Sequence, residues 1–395
     1  MKNDNIGFKS KTIHHNIQKK SNRYLVNVPV YHGSTVVFST LHEFDHSRED
    51  YKNKNILVYG RLGTPTTFAL EELIADMENG FGGLAVSSGL SAVTISLLSF
   101  LSAGDHLLIA DTVYGPTRKF CDTFVNRIGV EVTYYDPTIG SAIENLIQKN
   151  TRCLYMESPG SLTFEVQDVP TLVSIAKRNS ITTIMDNTWA SPYFYRPLDH
   201  GVNVSVTSAT KYIVGHSDAM LGLIVSDETH YAEIRSCRTT LGHCVSPDDI
   251  YLGIRGAKTL CVRMEQHHQN ALELATWLQS QPDVIRVIHP AFSSCPGHEF
   301  WKRDFDGASS LFSFEVERRD RAALASFLDN LKFFSIGLGW GGYGSLVVPI
   351  NPELVRTATT WKSDAQLIRL HVGLEDIDDL KKDIELGLKR YRELS

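Results

Sequence analysis

Short apolar runs alternate with helical stretches through the middle of this 395-residue chain, and that rhythm limits the fold more than any other feature. Each run has the length of a strand and most are rich in Val, Ile, Leu or Thr; they are residues 84–87, 106–110, 131–135, 153–157, 182–186, 204–208 and 221–225. The intervening segments have helical periodicity. The pattern predicts an α/β domain with a mostly parallel central sheet covered on both faces.

The rhythm changes after about Tyr251. A long helical segment is predicted over 256–279, followed by strands over 284–289, 309–316 and 346–349 and a last helix over 377–391. We therefore expect a smaller C-terminal α+β domain. The predicted boundaries are 1–60 for an N-terminal arm, 61–250 for the large domain and 251–395 for the small one.

Charge and composition exclude several classes of partner. The net charge is −6, so no general attraction to nucleic acid or to an anionic membrane is expected. One basic cluster near the start is interpreted as a solvated arm: Lys2, Lys9, Lys11, Lys19, Lys20 and Arg23. No apolar stretch has the length of a membrane span, and six scattered cysteines form no metal-ligand pattern. A cytoplasmic protein without a metal site is expected.

Gly337, Gly339 and Gly342 spell G-x-G-x-x-G, but a dinucleotide site is not predicted there. That fingerprint requires a strand before it and a helix that begins inside it. The residues that follow, 346–349, have the pattern of a strand instead.

Five segments carry a possible chemistry, and each follows or lies in an apolar run. Lys211 offers a primary amine able to form a Schiff base, and Asp186 offers a carboxylate suited to a protonated pyridine nitrogen. Ser88, Gly89 and Leu90 begin a helix whose N–H groups could hold a phosphate, with the hydroxyls of Ser208 and Thr210 beside Lys211. Tyr114 could stack on a flat ring, and the planar fork of Arg369 suits a carboxylate. Taken singly, each also has an ordinary structural explanation; in this order they form a coherent set.

Seven segments make the chain resemble the Cys/Met-metabolism family of pyridoxal-phosphate (PLP) enzymes, from about Thr35 to the C-terminus. The similar segments are 59–64 (YGRLGT), 157–160 (ESPG), 186–189 (DNTW), 209–218 (ATKYIVGHSD), 297–304 (GHEFWKRD), 340–343 (WGGY) and 369–376 (RLHVGLED). Within the family, DNTW and WGG resemble the bacterial cystathionine β-lyases. The resemblance implies the aspartate-aminotransferase-like fold of PLP enzymes, fold type I.

The resemblance also implies roles. Lys211 would be the Schiff-base lysine and proton shuttle, Asp186 the partner of the ring nitrogen, and Tyr114 the ring stack with a possible part in proton transfer. The phosphate would be bound by residues 88–90, Ser208 and Thr210, and by Tyr59 and Arg61 of a neighbouring subunit. Arg369 would bind the substrate carboxylate with the Trp340 backbone, and Gly339 would lie beside it. A homotetramer built from two dimers is implied.

The implied activity is β-elimination of L-cystathionine to homocysteine, pyruvate and ammonia, a transsulfuration step in methionine biosynthesis. The same residues would also serve a γ-lyase or γ-synthase, or a broader cysteine or cystine lyase; a cofactor-binding homologue without turnover is the alternative of another class. The sequence departs from the β-lyase pattern at four places. They are Leu338-Gly339, where Tyr-Ser is usual, Leu62, where arginine is common, Gly344, where glutamate is frequent, and Asn203, where aspartate is usual.

Overall fold

A computed structural model of the protein describes residues 6–15, 25–53 and 55–393. Within these ranges the helices are α1 (Phe8–His14), α2 (Leu41–Asn53), α3 (Pro65–Met77), α4 (Gly89–Phe100), α5 (Gly115–Phe120), α6 (Val169–Arg178), α7 (Ser191–Phe194), α8 (Glu228–Thr240), α9 (Pro247–Ala257), α10 (Leu260–Gln279), α11 (His298–Asp304), α12 (Arg321–Leu328) and α13 (Ile377–Glu393).

The large domain is built on a seven-stranded sheet with strand order β1-β7-β6-β5-β4-β2-β3. Its strands are β1 (Gly82–Val86), β2 (His106–Ala110), β3 (Glu131–Tyr135), β4 (Thr151–Glu157), β5 (Thr182–Asp186), β6 (Val204–Thr207) and β7 (Gly222–Ser226). All run parallel except β7, which is antiparallel to both of its neighbours. The prediction of a mostly parallel sheet is confirmed, and the predicted bounds of β2, β3 and β5 agree with the structure residue for residue.

A five-stranded sheet with order β10-β11-β12-β9-β8 organises the C-terminal part. Its strands are β8 (Val284–Ile288), β9 (Leu311–Val316), β10 (Ser335–Ile336), β11 (Leu346–Ile350) and β12 (Gln366–His371). The segment that follows the three glycines of G-x-G-x-x-G is therefore a strand, β11, as predicted. Helices α10 and α13 pack with this sheet around a second apolar core that includes Phe312, Phe314 and Phe327.

The single helix predicted over 256–279 is wrong, because the chain breaks between α9 and α10. The carbonyl oxygen of Gly256 accepts hydrogen bonds from the Thr259 N–H at 3.1 Å and from the Arg263 guanidinium at 2.8 Å. These bonds replace the regular helical partner of that carbonyl. The chain turns at Lys258 and Thr259, a change of direction that apolar periodicity does not reveal.

The basic N-terminal segment is docked on the protein where the structure describes it. Lys9 forms an ion pair with Glu265, and Lys11 forms one with Asp76 at 2.9 Å. The Lys258 ammonium donates to the carbonyl oxygens of Thr12, Ile13 and His15 at 2.8–3.1 Å, which satisfies the C-terminal end of α1. The interpretation as a solvated arm is thus wrong for this stretch. Lys2, Lys19, Lys20 and Arg23 lie outside the described residues.

Asp111 is a buried carboxylate that fastens a loop of the C-terminal part to the large domain. It accepts the backbone N–H groups of Thr357 (3.0 Å), Ala358 (3.1 Å) and Thr359 (2.8 Å) and pairs with Arg118. Asp111 begins the segment that leads from β2 to Tyr114. The bond therefore ties the loop to the edge of the sheet at which the parallel strand β5 ends with Asp186. Of the helices that the described ranges contain, none has the length and hydropathy of a membrane span.

We expect Asp111→Asn to lower the free energy of unfolding by about 3 kcal/mol, because an amide N–H₂ would face backbone donors and Arg118 would lose its buried partner. Burial alone would raise the pKa of Asp111, but the hydrogen bonds from residues 357–359 outweigh it and hold the pKa below its ordinary value. The stabilisation should therefore persist above about pH 4 and disappear as the pH falls through the folded-state pKa. Urea unfolding at pH 7 and pH 3 measures both effects.

Asp378→Asn is the matched control, since the Asp378 side chain is 94% exposed. An equal loss of stability in both variants at pH 7 would contradict the assignment.

Candidate active site

Lys211 lies in the turn after β6, under a segment of the C-terminal part. A Cβ on Gly341, whose φ is +84°, would lie 2.8–2.9 Å from the backbone and Cβ of Lys211, so only glycine permits this approach. The Lys211 Nζ is 5.2 Å from the centre of the Trp340 ring. Burial, followed by the nearby Arg369 cation, lowers the pKa of Lys211 to about 8, although Asp186 opposes the shift. An amine of this kind is partly unprotonated near neutral pH.

Asp186 ends β5 at the same edge of the sheet as Lys211. Its Oδ1 accepts the Thr188 N–H at 2.9 Å, and the Thr188 hydroxyl accepts the Ser208 N–H at 2.8 Å. Burial raises the pKa of Asp186, and the Thr188 hydrogen bonds and the Lys211 charge counteract it. Thr188, which the sequence analysis gave no role, therefore links the carboxylate to the turn that carries Lys211.

Glu157 is a second carboxylate at this edge, and its role was missed. It ends β4 directly opposite Asp186 in the β4–β5 register, and its Oε2 accepts the Tyr114 N–H at 2.7 Å. Burial, and then the Asp186 charge, raise the pKa of Glu157 well above its usual range. The signal was available, because Glu157 ends a buried strand just as Asp186 does.

The start of α4 forms a cradle that fits a phosphate group. Ser88 is the N-cap, and its hydroxyl accepts the Ser91 N–H at 3.1 Å. A Cβ on Gly89 would lie 2.4 Å from the Cβ of Ser208, so this glycine lets the helix end and the Ser208 turn meet. The free N–H groups and dipole of a helix N-terminus favour an anion at this place.

Leu90 and Thr210 lie on either side of the cradle, and they differ in whether their groups are available to a phosphate. The side chain of Leu90 is exposed, at the first turn of α4. The Thr210 hydroxyl already donates to the Leu221 carbonyl oxygen at 3.1 Å and accepts the Leu221 N–H at 2.9 Å. The structure thus gives Thr210 a part in shaping the turn before Lys211.

Arg369 is a buried cation that faces the same space. It lies in β12, and its Nη2 donates to the Leu338 carbonyl oxygen at 2.8 Å. Burial lowers its pKa to about 10, and the neighbouring Tyr114 and Tyr212 oppose that shift. In the described part of the chain no carboxylate pairs with this guanidinium. A substrate carboxylate would complete its hydrogen bonding.

Tyr114 stands at the open side of the site. It is 48% exposed at the start of α5, with Glu157, Asp186 and Arg369 as its charged neighbours. Burial and the two carboxylates raise the pKa of Tyr114, and Arg369 lowers it, so the phenol stays protonated at neutral pH. An exposed ring beside Asp186 is placed to cover a flat cofactor.

Three of the four departures from the β-lyase pattern lie in or near the C-terminal part of the site or the large sheet. Leu338 is 81% exposed, and its carbonyl oxygen still binds Arg369, so only the mouth of the site is altered. Gly339, which follows it, is also exposed. The Asn203 Oδ1 accepts the Thr183 N–H at 2.9 Å. This hydrogen bond joins the starts of two strands and does not involve Lys211. A Cβ on Gly344 would lie 3.9 Å from the Glu375 Oε1, so Glu375 supplies a carboxylate next to that position.

Tyr59 and Arg61 are not brought into this site by their own chain. Both are exposed, and the Arg61 Nη1 donates to the Thr239 carbonyl oxygen at 3.0 Å. Their predicted role toward a neighbouring subunit stays a prediction. Leu62, next to Arg61, is partly buried.

The residues that do come together fit PLP: an anion cradle, a carboxylate for the ring nitrogen, a ring cover and an amine of lowered pKa. Residues 9–389 match the family model of Cys/Met metabolism PLP-dependent enzymes. A putative cystathionine β-lyase of Rhizobium johnstonii is 46% identical over 368 residues, 92% of this chain and 91% of the relative. The cystathionine β-lyase MetC of Escherichia coli is 40% identical over 378 residues, 94% and 95% of the two chains.

Solved structures share the fold. The cystathionine γ-synthase of Xanthomonas oryzae pv. oryzae, solved in complex with aminoacrylate and cysteine, has a TM-score of 0.89 at 28% identity. The likeness covers 99% of this chain and 100% of that one. The predicted fold, that of fold type I PLP enzymes, is confirmed.

We expect acylation of Lys211 in the cofactor-free protein to reach its half-maximal rate near pH 8, because only the free amine reacts. Asp186→Asn should shift this midpoint down and Arg369→Met should shift it up, since Asp186 raises and Arg369 lowers the pKa of Lys211. Peptide mass spectrometry after brief labelling across a pH series gives the rate at each lysine.

Lys9 is the internal control, because its hydrogen bond with Glu265 raises its pKa above the ordinary value. Shifts of the Lys211 midpoint in the opposite directions would refute the charge arrangement described above.

Proposed function

This chain belongs to the family of Cys/Met metabolism PLP-dependent enzymes, and from that premise we propose that it is a carbon–sulfur lyase acting on L-cystathionine. With one water molecule consumed, the products would be homocysteine, pyruvate and ammonia, a transsulfuration step that supplies methionine biosynthesis. The observation that carries the proposal is the meeting of Lys211, Asp186 and Arg369 in one buried space, with Tyr114 over it.

The residues of the chain divide the work between cofactor and substrate. Bound PLP supplies an electron sink that stabilises negative charge on the substrate α-carbon. Asp186 keeps a proton on the ring nitrogen, while the helix start at Gly89 and the turn at Ser208 hold the phosphate. Arg369 orients the substrate by its carboxylate, with the Trp340 backbone beside it.

Lys211 is the better candidate for the base that removes the α-proton. Its pKa of about 8 lets the amine accept and return a proton near neutral pH. The Tyr114 phenol has a raised pKa and keeps its proton over that range. Tyr114 would therefore assist as a ring cover and hydrogen-bond donor, and the thiolate would leave from the β-carbon once the α-proton is on Lys211.

The choice of β-elimination over γ chemistry rests on the relatives and on two segments. Both relatives named above are cystathionine β-lyases, one of them putative, at 46% and 40% identity, whereas the γ-synthase structure is 28% identical. The segments 186–189 and 340–343 have the β-lyase pattern and both line the site. A γ-lyase or γ-synthase activity is the alternative within the family.

We further propose a homotetramer of two dimers in which Tyr59 and Arg61 complete the phosphate site of the neighbouring subunit. The two side chains are exposed and outside their own chain's site, which supports this arrangement. Apolar side chains nearby are also exposed, among them Leu57, which is 41% exposed, and Val37, which is 89% exposed. A cytoplasmic location is proposed as well, and the six free cysteines are consistent with a reducing compartment.

Incubation of the PLP-loaded protein with L-cystathionine should give pyruvate and homocysteine in equal amounts, measured by mass spectrometry. Lys211→Ala should lower kcat at least about 10³-fold, because both the cofactor anchor and the base are lost. Lys302→Ala, at an exposed position, is the control. If 2-oxobutyrate were the keto acid, the assignment would move to the γ branch.

Mixing two inactive variants tests the shared site. In the proposed arrangement each site contains Lys211 of one subunit and Arg61 of the other. A dimer with one Arg61→Ala chain and one Lys211→Ala chain would therefore contain one intact site. Subunit exchange should then restore about a quarter of the parent activity. If the mixture stayed as inactive as its components, Arg61 would serve its own chain and the proposed arrangement would fail.

A further inference from the structure

His371 is a buried histidine in β12, two residues after Arg369, and only 1% of it is exposed. Its Nε2 lies 2.9 Å from the carbonyl oxygen of Gly342. A carbonyl oxygen can only accept a hydrogen bond, so Nε2 must carry the proton. The opposite ring nitrogen, Nδ1, is therefore an acceptor in the neutral ring.

The tautomer fixes the direction of every hydrogen bond on the other side of the ring. The Ser310 hydroxyl lies 2.6 Å from Nδ1, and the Gly341 N–H points to the same atom at 3.4 Å. Ser310 must donate to Nδ1, and the Tyr212 hydroxyl, 2.6 Å from the Ser310 oxygen, must then donate to Ser310. The Ser310 N–H closes this arrangement by donating to the Tyr212 oxygen at 3.2 Å.

Both ends of this network reach the site. Tyr212 follows Lys211 in the chain, and its ring is 5.5 Å from the ring of Trp340. The Gly341 N–H donates to His371 Nδ1, and Gly341 packs directly on Lys211. The Gly342 carbonyl oxygen accepts from Nε2, so His371 holds the two residues that follow Trp340. A change at His371 would therefore move the segment without removing any group that touches the substrate.

We propose that His371 is a positioning residue, held as the neutral Nε2–H tautomer, that sets the Trp340–Gly342 segment over Lys211 and so shapes the substrate-carboxylate site. The inference rests on the proposed function, because it assumes that the carboxylate binds between Arg369 and this segment. It assigns His371 no contact with substrate or cofactor.

The surroundings of His371 favour the neutral ring. Burial, and then the neighbouring His267, lower the pKa of His371 to about 3, with Arg369 and Lys211 acting in the same direction and the Gly342 carbonyl opposing it. An imidazolium would also turn Nδ1 into a donor facing the Gly341 N–H, which is itself a donor. Protonation of His371 would thus break the hydrogen bond from the Gly341 N–H to Nδ1.

The test uses the PLP-loaded protein and L-alanine, a carboxylate-bearing amino acid without a leaving group, with its Kd followed by calorimetry. His371→Phe removes both ring nitrogens and should raise the Kd about tenfold. His371→Gln can keep a donor near the Gly342 carbonyl and should stay within about threefold of the parent. Ser310→Ala removes the hydroxyl that orients the ring and should raise the Kd to a value between the two.

Two further readouts separate positioning from general damage. Cofactor content and absorbance should stay unchanged, and with L-cystathionine the KM should rise while kcat stays within about threefold of the parent. His289→Phe is the matched control, since His289 is also fully buried in the C-terminal part but accepts the Ala291 N–H and packs beside Phe292 and Phe312. Its Kd for L-alanine should equal that of the parent.

An unchanged Kd in both Ser310→Ala and His371→Phe would overturn the inference. If His371→Phe failed to retain cofactor, Ser310→Ala and His371→Gln would decide, with parent-like binding in Ser310→Ala again contradicting it. Arg369→Met distinguishes a failure of the inference about His371 from a failure of the proposed function. If it also bound L-alanine like the parent, the carboxylate site itself would be misplaced, and the proposed function would fail together with this inference.

Discussion

Asp186, Lys211 and Arg369 are three charged groups that lie largely out of water in one space, where the carboxyl edge of the large sheet meets the second sheet. Each would be costly to remove from water alone, and two of them have the same charge. Strands β5 and β6 are parallel, so Asp186 and the turn with Lys211 lie at the same edge of the large sheet. Arg369 lies in β12 of the second sheet and faces this edge. Lys211 and Arg369 repel each other electrostatically, and a bound anion between them would reduce this repulsion. A substrate carboxylate is such an anion.

The proposed active site therefore lies where the two sheets meet. The large domain supplies the amine, the acid and the anion cradle, and the C-terminal part supplies Arg369 and the Trp340 segment. Buried hydrogen bonds hold the two together: the Trp189 Nε1 donates to the Leu311 carbonyl oxygen at 3.0 Å, and Asp111 holds the loop at 357–359. A site of this type needs the relative position of two sheets to be fixed, and each of these bonds lies close to a site residue.

Much of this architecture could be predicted because strands and reactive residues leave local signals. An apolar run of strand length ends at Asp186, and a second ends just before the Lys211 turn, so the edge of a parallel sheet brings them together. Glu157 left a signal of the same kind, since it ends a buried strand as Asp186 does. Thr188 and His371 left no comparable signal, since their partners are decided by contacts between elements. His371 is the extreme case: its partners Ser310, Gly341 and Gly342 lie on other elements, and a histidine inside an apolar strand carries no local mark of its tautomer.

Borohydride reduction of the PLP-loaded protein, followed by digestion and peptide mass spectrometry, tests whether Lys211 binds the cofactor. Reduction fixes the cofactor to the lysine that binds it. If Lys211 binds the cofactor, the adduct will lie on the peptide that contains Lys211, at one cofactor per chain, and Lys211→Ala will give no adduct. An adduct on another lysine, or a loaded protein that yields none, would contradict the placement of the site at the carboxyl edge of the sheet.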